Sequence, residues 1–290
     1  MLVSPVPRPK RPEWLRAPAP AGEGYRQVKA LVDQLGLHTV CQSAACPNLG
    51  DCWSQGTATF LLMGPVCTRR CRFCAVAQGV PQPLDPDEPG RVAEAVAALR
   101  LRYAVLTSVT RDDLPDGGAA HFAATVRAIR ARLPGCRVEV LIPDFQGSSQ
   151  ALHTLLAASP DVLNHNLETV PRLYARVRPG ASYARSLALL AEACQAEPGL
   201  QAKSGLMLGL GEPLEEVLAV LRDLRAAGVS LLTLGQYLQP SPRHLPVIRF
   251  VPPEEFEELA ERGRLMGFYH VEAGPLVRSS YHAAAQLQSR

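Results

Sequence analysis

Apolar and polar positions along this chain fall into two unlike parts. Before about residue 58 the pattern is irregular: a Pro-rich start, one amphipathic stretch from Tyr25 to Leu35 that ends at Gly36, then a loop-rich segment. From Thr59 onward short apolar runs alternate with stretches of helical period. The runs at Thr59–Met63, Tyr103–Ser108, Arg137–Ile142, Val162–Glu168, Lys203–Leu208 and Leu231–Tyr237 predict six strands. Between them, Gly90–Leu101, Gly118–Leu133, Ser148–Ala158, Ser182–Ala196 and Leu214–Ala227 predict helices, and Glu254–Met266 predicts one more after the sixth strand.

Alternating strand and helix implies a parallel sheet with right-handed crossovers. Six such units suit a barrel or partial barrel, and a doubly wound open sheet fits the same periodicity. In a barrel the chemistry belongs at the C-terminal ends of the strands. No internal repeat is visible.

Composition changes this picture little. The 290 residues suffice for one large domain with extensions, and 47% hydrophobic against 20% charged residues is ordinary for a globular protein. No apolar run reaches membrane-spanning length, so no membrane partner is expected. A formal net charge of +3 gives no argument for nucleic acid. The Pro-rich start lacks the apolar core of a secretory signal, which predicts a cytoplasmic, reducing setting. There, clustered cysteines bind metal or do chemistry more often than they pair. Arg8, Lys10, Arg11 and Arg16 make the first residues locally basic.

The cysteines carry the candidate chemistry. Six of eight lie between Cys41 and Cys74, in two spacings. Cys67, Cys71 and Cys74 read C-x3-C-x2-C directly after the first expected strand. Cys41, Cys46 and Cys52 read C-x4-C-x5-C, with Pro47-Asn48 and Trp53 among them. A cubic four-iron cluster takes four ligands, so three thiolates from one loop leave one iron open to a small molecule. Zinc with a borrowed ligand is the alternative for each triplet. No histidine lies near the second triplet in sequence; the nearest are His38 and His121.

C-x3-C-x2-C after a strand, with Phe73 before the last cysteine, resembles the signature of the radical S-adenosylmethionine superfamily. The first triplet, followed by that motif, resembles the lipoyl synthase family. The resemblance continues through Leu106–Ala119, which holds Ser108, Arg111-Asp112-Asp113 and Asp116-Gly117-Gly118, and through Asn164-His165-Asn166-Leu167-Glu168-Thr169. It goes on in Val177-Arg178-Pro179-Gly180, Lys203 to Glu212, Gln236 to Pro240, and Gly274 to Ala283 with Arg278-Ser279-Ser280-Tyr281.

The resemblance implies a partial (β/α)6 TIM-type barrel with N-terminal and C-terminal extensions. Residues 1–24 are expected to form a flexible basic arm, 25–58 an extension with the auxiliary cysteines, 59–240 the barrel, and 241–290 an extension with a serine motif. It implies two [4Fe-4S] clusters and S-adenosylmethionine. Cys67, Cys71 and Cys74 would hold the cluster that generates a deoxyadenosyl radical. Cys41, Cys46 and Cys52, with Ser280 as fourth ligand, would hold an auxiliary cluster that gives up sulfur and is consumed. The reaction implied is insertion of two sulfur atoms, at C6 and C8, into octanoyl-lysine on a lipoyl carrier protein domain. It uses two S-adenosylmethionine molecules and an electron donor. A related sulfur inserter acting on a free small molecule and a non-catalytic iron–sulfur or zinc protein are the competing readings.

Further site residues follow with less from the motifs. Two-residue alternation places Asn164, Asn166 and Glu168 on one strand face, where buried polar groups need partners. They, with Phe73, Ser108 and Asp116, are expected around S-adenosylmethionine, and Arg178 is expected to pair with its carboxylate. Gly117 and Gly118 would let the backbone approach closely, and Arg278 belongs to the serine motif. His165 reads equally as a site residue or a structural histidine. Cys136 and Cys194 read as plain buried thiols. Gly205, Gly209 and Gly211 lack the Lys-Ser/Thr ending of a phosphate loop.

Overall fold

The computed structural model describes residues 10–17, 20–54 and 58–287. Arg8 and the rest of residues 1–9 of the expected basic arm lie outside them. The strands, in chain order, are β1 (Thr59–Leu62), a short pair β2 (Val66–Cys67) and β3 (Ala77–Gln78), then β4 (Tyr103–Ser108), β5 (Arg137–Leu141), β6 (Val162–Asn164), β7 (Gln201–Leu208), β8 (Leu231–Gln236) and β9 (His270–Gly274). Seven of them form one parallel sheet in the order β1-β4-β5-β6-β7-β8-β9. Each neighbour pair is joined through at least one helix, as a parallel ladder requires. The strands thus follow one another around a curve whose edges, β1 and β9, do not pair among the described residues. This is a partial barrel with seven strands rather than six. His270 to Gly274 carries little apolar signal, which is why β9 was not expected.

Two layers of side chains separate cleanly. Ala104 and Leu106 on β4, Val138 and Val140 on β5, and Leu232 and Leu234 on β8 point outward into one large core shared with the surrounding helices. Their neighbours Tyr103, Val105, Val162 and Leu231 point inward and pack with Ala283 and Leu287. Tyr103, Val162 and Leu231 are each the first residue of a strand, so the C-terminal turn Ala283–Gln286 and Leu287 close the floor of the barrel. The opposite end, where strands finish, is left for the site.

Above the floor lies a buried polar layer. Glu139 accepts from Tyr103 Oη (2.7 Å), Asn164 Nδ2 (2.9 Å) and Lys203 Nζ (3.0 Å). Lys203 is fully buried.

The regular part of β6 ends at Asn164, shorter than expected. Glu168 adopts a left-handed φ of 68° and rejoins β7 only through an isolated bridge to Leu206. No helix among the described residues is long and apolar enough to cross a membrane.

Candidate active site at the strand ends

Local chemistry explains how the second cysteine triplet reaches the top of the barrel. Met63 and Gly64 both have positive φ, so the chain turns sharply out of β1. The buried Glu88 carboxylate accepts from Met63 N (2.8 Å) and fixes that turn. The loop then crosses the strand ends, where three other loops hold it. Thr68 N donates to Thr110 O (3.1 Å), Arg72 N to Val177 O (2.9 Å), and Leu245 N to Arg72 O (3.2 Å). His244 Nε2 lies 3.0 Å from Cys74 O.

An ion-pair clamp lies beneath. Arg69 pairs with Asp112 (2.7 Å) and with the fully buried Asp144 (2.5 Å), which also pairs with Arg185 (2.8 Å). Burial alone would raise the Asp144 carboxyl; Arg69 and Arg185 outweigh it and hold it well below the carboxylate range. None of Arg69, Asp144 and Arg185 was expected from the sequence. A buried arginine inside a cysteine motif becomes legible only once its acids are placed beside it.

Within the loop, Cys67 Sγ accepts from Thr110 N (3.3 Å) and the Cys74 thiol from the backbone of Val76. Burial pushes Cys74 up to about 12 and raises Cys71, against the nearby Arg178 guanidinium. Such thiols keep their protons until iron displaces them.

The first triplet is built by two distant segments. Thr39 pairs with Phe60 beside β1, and Asn48 Nδ2 donates to Leu276 O (2.7 Å) just past β9. Residues 39–54 therefore span the two open edges of the sheet. Cys41, Cys46 and Cys52 line one small pocket with Asn48, Thr59, Arg278, Ser280 and Tyr281. Burial raises all three thiols, Cys52 to about 12. The Trp53 indole N–H, which has no other partner, is directed at Cys41. Among the described residues no three His, Cys, Asp or Glu side chains sit tightly enough for a single metal ion.

Gly235 on β8 makes room for the C-terminal segment. A Cβ there would stand 2.1 Å from Val277 O and 3.3 Å from Arg278 Nη1. Gly235→Ala is therefore expected to push residues 277–281 off β8 and to destabilise the fold by about 1–3 kcal/mol, the usual cost of overpacking. Urea unfolding checks this; a change below about 0.5 kcal/mol would count against it.

Arginines and one glutamate lie between the triplets. Arg278 is near Cys46 and Glu168, and Arg178 is near Glu168 and Cys71. Burial pulls Arg278 down and raises Glu168, the latter against Arg178. Asn166 Nδ2 donates to Glu168 Oε1 (3.1 Å) and to Ser279 Oγ (2.6 Å), so the serine motif touches both sides. Among the described residues, Asn166 Oδ1, Arg178 Nε and Ser108 Oγ are buried without partners. Three orphaned polar atoms here fit a polar ligand such as S-adenosylmethionine.

Other expected site residues are committed elsewhere. Asn164 belongs to the Glu139 layer below. Asp116 accepts from Gly118 N and Ala120 N at the start of helix Ala119–Arg132. Gly117 and Gly118 make room for Phe145 and Met63 rather than for a ligand. Arg178 Nη1 spends its bonds on the carbonyls of Asn166 and Leu167. Phe73 is half-buried against the core. His165 is buried between Ile142 O (2.8 Å) and Ser186 Oγ (2.9 Å), and burial lowers it to about 4. It is a neutral structural histidine.

A partial barrel carrying three loop cysteines at its strand ends defines a radical S-adenosylmethionine enzyme. Residues 61–224 match the radical SAM superfamily. Methylornithine synthase shares the fold at 15% identity, with a TM-score of 0.56, 89% of this chain and 72% of that one covered. The [FeFe]-hydrogenase maturase HydG does so at 18% identity and 0.58, with coverage of 72% and 50%.

Residues 4–46 match the N-terminal domain of lipoyl synthase. The lipoyl synthase of Methylococcus capsulatus is 60% identical over 278 residues, 96% of this chain and 86% of the relative. That of Thermus thermophilus is 59% identical over 281 residues, 96% and 87%. The chain belongs to the lipoyl synthase family of radical SAM enzymes, and membership implies a [4Fe-4S] cluster and S-adenosylmethionine.

Proposed function

We propose that this enzyme inserts two sulfur atoms, at C6 and C8, into an octanoyl chain amide-linked to a lysine of a lipoyl carrier domain. It uses two S-adenosylmethionine molecules. The observation that carries this reading is the pair of cysteine triplets flanking one space, with Arg278, Glu168 and Arg178 between them. In this reading residues 25–58 contribute the auxiliary cysteines, 59–240 the radical site and 241–290 the serine motif.

Cys67, Cys71 and Cys74 would hold one four-iron cluster; Cys41, Cys46, Cys52 and Ser280 would hold the second. When bound, the first cluster with S-adenosylmethionine supplies a hydrogen-abstracting radical and the second supplies sulfur. The protein contributes position. Backbone N–H groups of Thr110, Val76, Thr59 and Asn48 point at Cys67, Cys74, Cys41 and Cys46, which orients the thiolates and tunes their charge. Asn166, Ser108 and Arg178 offer the free polar atoms that orient the cofactor. The floor formed by Tyr103, Val105, Val162, Leu231, Ala283 and Leu287 keeps water from entering below.

Ser280 gives an oxygen ligand, harder than a thiolate and less suited to such a cluster. An iron held by Ser280 would thus be the one most readily released. Ser280→Cys is expected to keep the second cluster and lose product; undiminished turnover would remove this role. The reading as a whole is tested by mass spectrometry of an anaerobic mixture of loaded protein, S-adenosylmethionine, dithionite and an octanoyl-lysyl peptide. Sulfur on the peptide together with 5′-deoxyadenosine supports it. Deoxyadenosine without sulfur transfer, with both clusters loaded, overturns the proposed substrate or sulfur source.

A further inference from the structure

The loop carrying Cys67, Cys71 and Cys74 has an outer face as well as an inner one. Cys71 and Cys74 are turned inward, whereas Arg70 and Arg72, lying among them in sequence, are exposed. The backbone bonds that fix the loop bring more arginines to the same rim. Val177, which accepts from Arg72 N, follows the exposed Arg176. Leu245, which donates to Arg72 O, lies two residues past the exposed Arg243.

Among the described residues, none of these four guanidiniums has an ion-pair partner. The acids nearby are already used: Asp112 and Asp144 on Arg69, Asp113 on Arg111. The rim therefore keeps a net positive field. Val80 adds an apolar side chain, 90% exposed, one residue past Gly79, whose N–H donates to Cys67 O (3.0 Å). An exposed apolar residue beside unpaired arginines is the composition of a protein interface.

We propose that this arginine rim is the docking face of an acidic one-electron carrier protein. The inference rests on the reading above, in which each S-adenosylmethionine consumed needs one electron. Arg70 and Arg72 flank Cys71 on the same loop, so a partner seated on them lies beside that thiol. The substrate must instead reach the interior between the triplets. Arg11, by contrast, lies by Arg278 on the side of the first triplet and not at this rim. In the docking step one electron leaves the carrier and enters the cluster held by Cys67, Cys71 and Cys74; no proton or leaving group moves.

The test uses the full chain with both clusters loaded, S-adenosylmethionine and an octanoyl-lysyl peptide, with deoxyadenosine as readout. Electrons come either from a reduced acidic flavin protein of the flavodoxin type or from dithionite. For Arg70→Glu, Arg176→Glu and Arg243→Glu combined, the flavoprotein-driven rate should fall about tenfold or more at low salt, because rim charges steer encounter. The dithionite-driven rate should stay within about twofold of the parent, since these side chains only shape a surface field. The parent's flavoprotein-driven rate should also fall with added salt, while the dithionite rate does not.

An unchanged flavoprotein-driven rate, or equal losses with both reductants at full iron and sulfide content, overturns the proposal. So does a raised Michaelis constant for an octanoylated carrier domain under dithionite, which would give this face to the substrate. If the combined variant loads poorly, the Arg→Gln series and the salt dependence of the parent decide. Absence of sulfur insertion by the dithionite-driven parent would instead reject the reading on which this rests.

Discussion

On the proposed reading, Cys71→Ala is expected to abolish formation of 5′-deoxyadenosine and, with it, of any sulfur-bearing product, whereas Cys46→Ala is expected to keep the first and lose the second. If each triplet holds a four-iron cluster, as proposed, each variant should also lose about half of the iron. The asymmetry follows from the geometry. Cys71 lies beside Arg178 and Glu168 on the loop that spans the strand ends, and Cys46 lies beside Arg278 in the pocket between the open sheet edges. The triplets share no ligand, so emptying one leaves the other's backbone supports intact: Thr110 and Val177 for the second, Leu276 and Thr59 for the first. Deoxyadenosine, product mass and iron content, measured on the same preparation, check the result. Loss of deoxyadenosine in Cys46→Ala at half iron content would mean that the two sites are not separable.

Glu139→Ala should destabilise the fold by about 3–5 kcal/mol, the usual cost of stripping one partner from a buried ion pair. Glu139 is the common acceptor for Lys203, Asn164 and Tyr103, and Lys203 is fully buried. The variant leaves an ammonium, an amide and a hydroxyl without a partner in a closed interior. Replacing both charges, Glu139→Leu with Lys203→Met, should recover most of the loss, because an apolar pair of similar size carries no desolvation cost. Urea unfolding at matched iron content measures both. A loss below about 1 kcal/mol for the single variant would show that the layer is not held as an ion pair.

These expectations mark how differently parts of the molecule could be read in advance. Strands β4, β5, β7 and β8 and the helices between them lie within a few residues of the hydrophobic pattern, because each is long enough to repeat its period against one continuous core. β9 escaped because it is an edge strand of mixed polarity, and the pair β2 and β3 because two residues leave no period to see. Asn164, Asn166 and Glu168 alternate in sequence, yet only Asn166 and Glu168 reach the space between the triplets. Asn164, one layer lower, is taken by Glu139.

The sequence by itself determined that thiols cluster, because spacing is a local property; spacing left iron–sulfur and zinc both open, and the ordered motifs that resemble a radical S-adenosylmethionine family favoured the first. It also determined the alternating strands and helices, since burial of one face is written in consecutive residues. Only the tertiary structure decided which distant groups complete each site. Arg69 finds Asp144, Asn48 finds Leu276 O, Gly235 admits Val277, and Arg278 comes to lie between Cys46 and Glu168. Those partners are set by how the curved sheet brings its two edges and its strand ends together. Buried charges and close backbone approaches depend on distances through space, and no spacing along the chain encodes them.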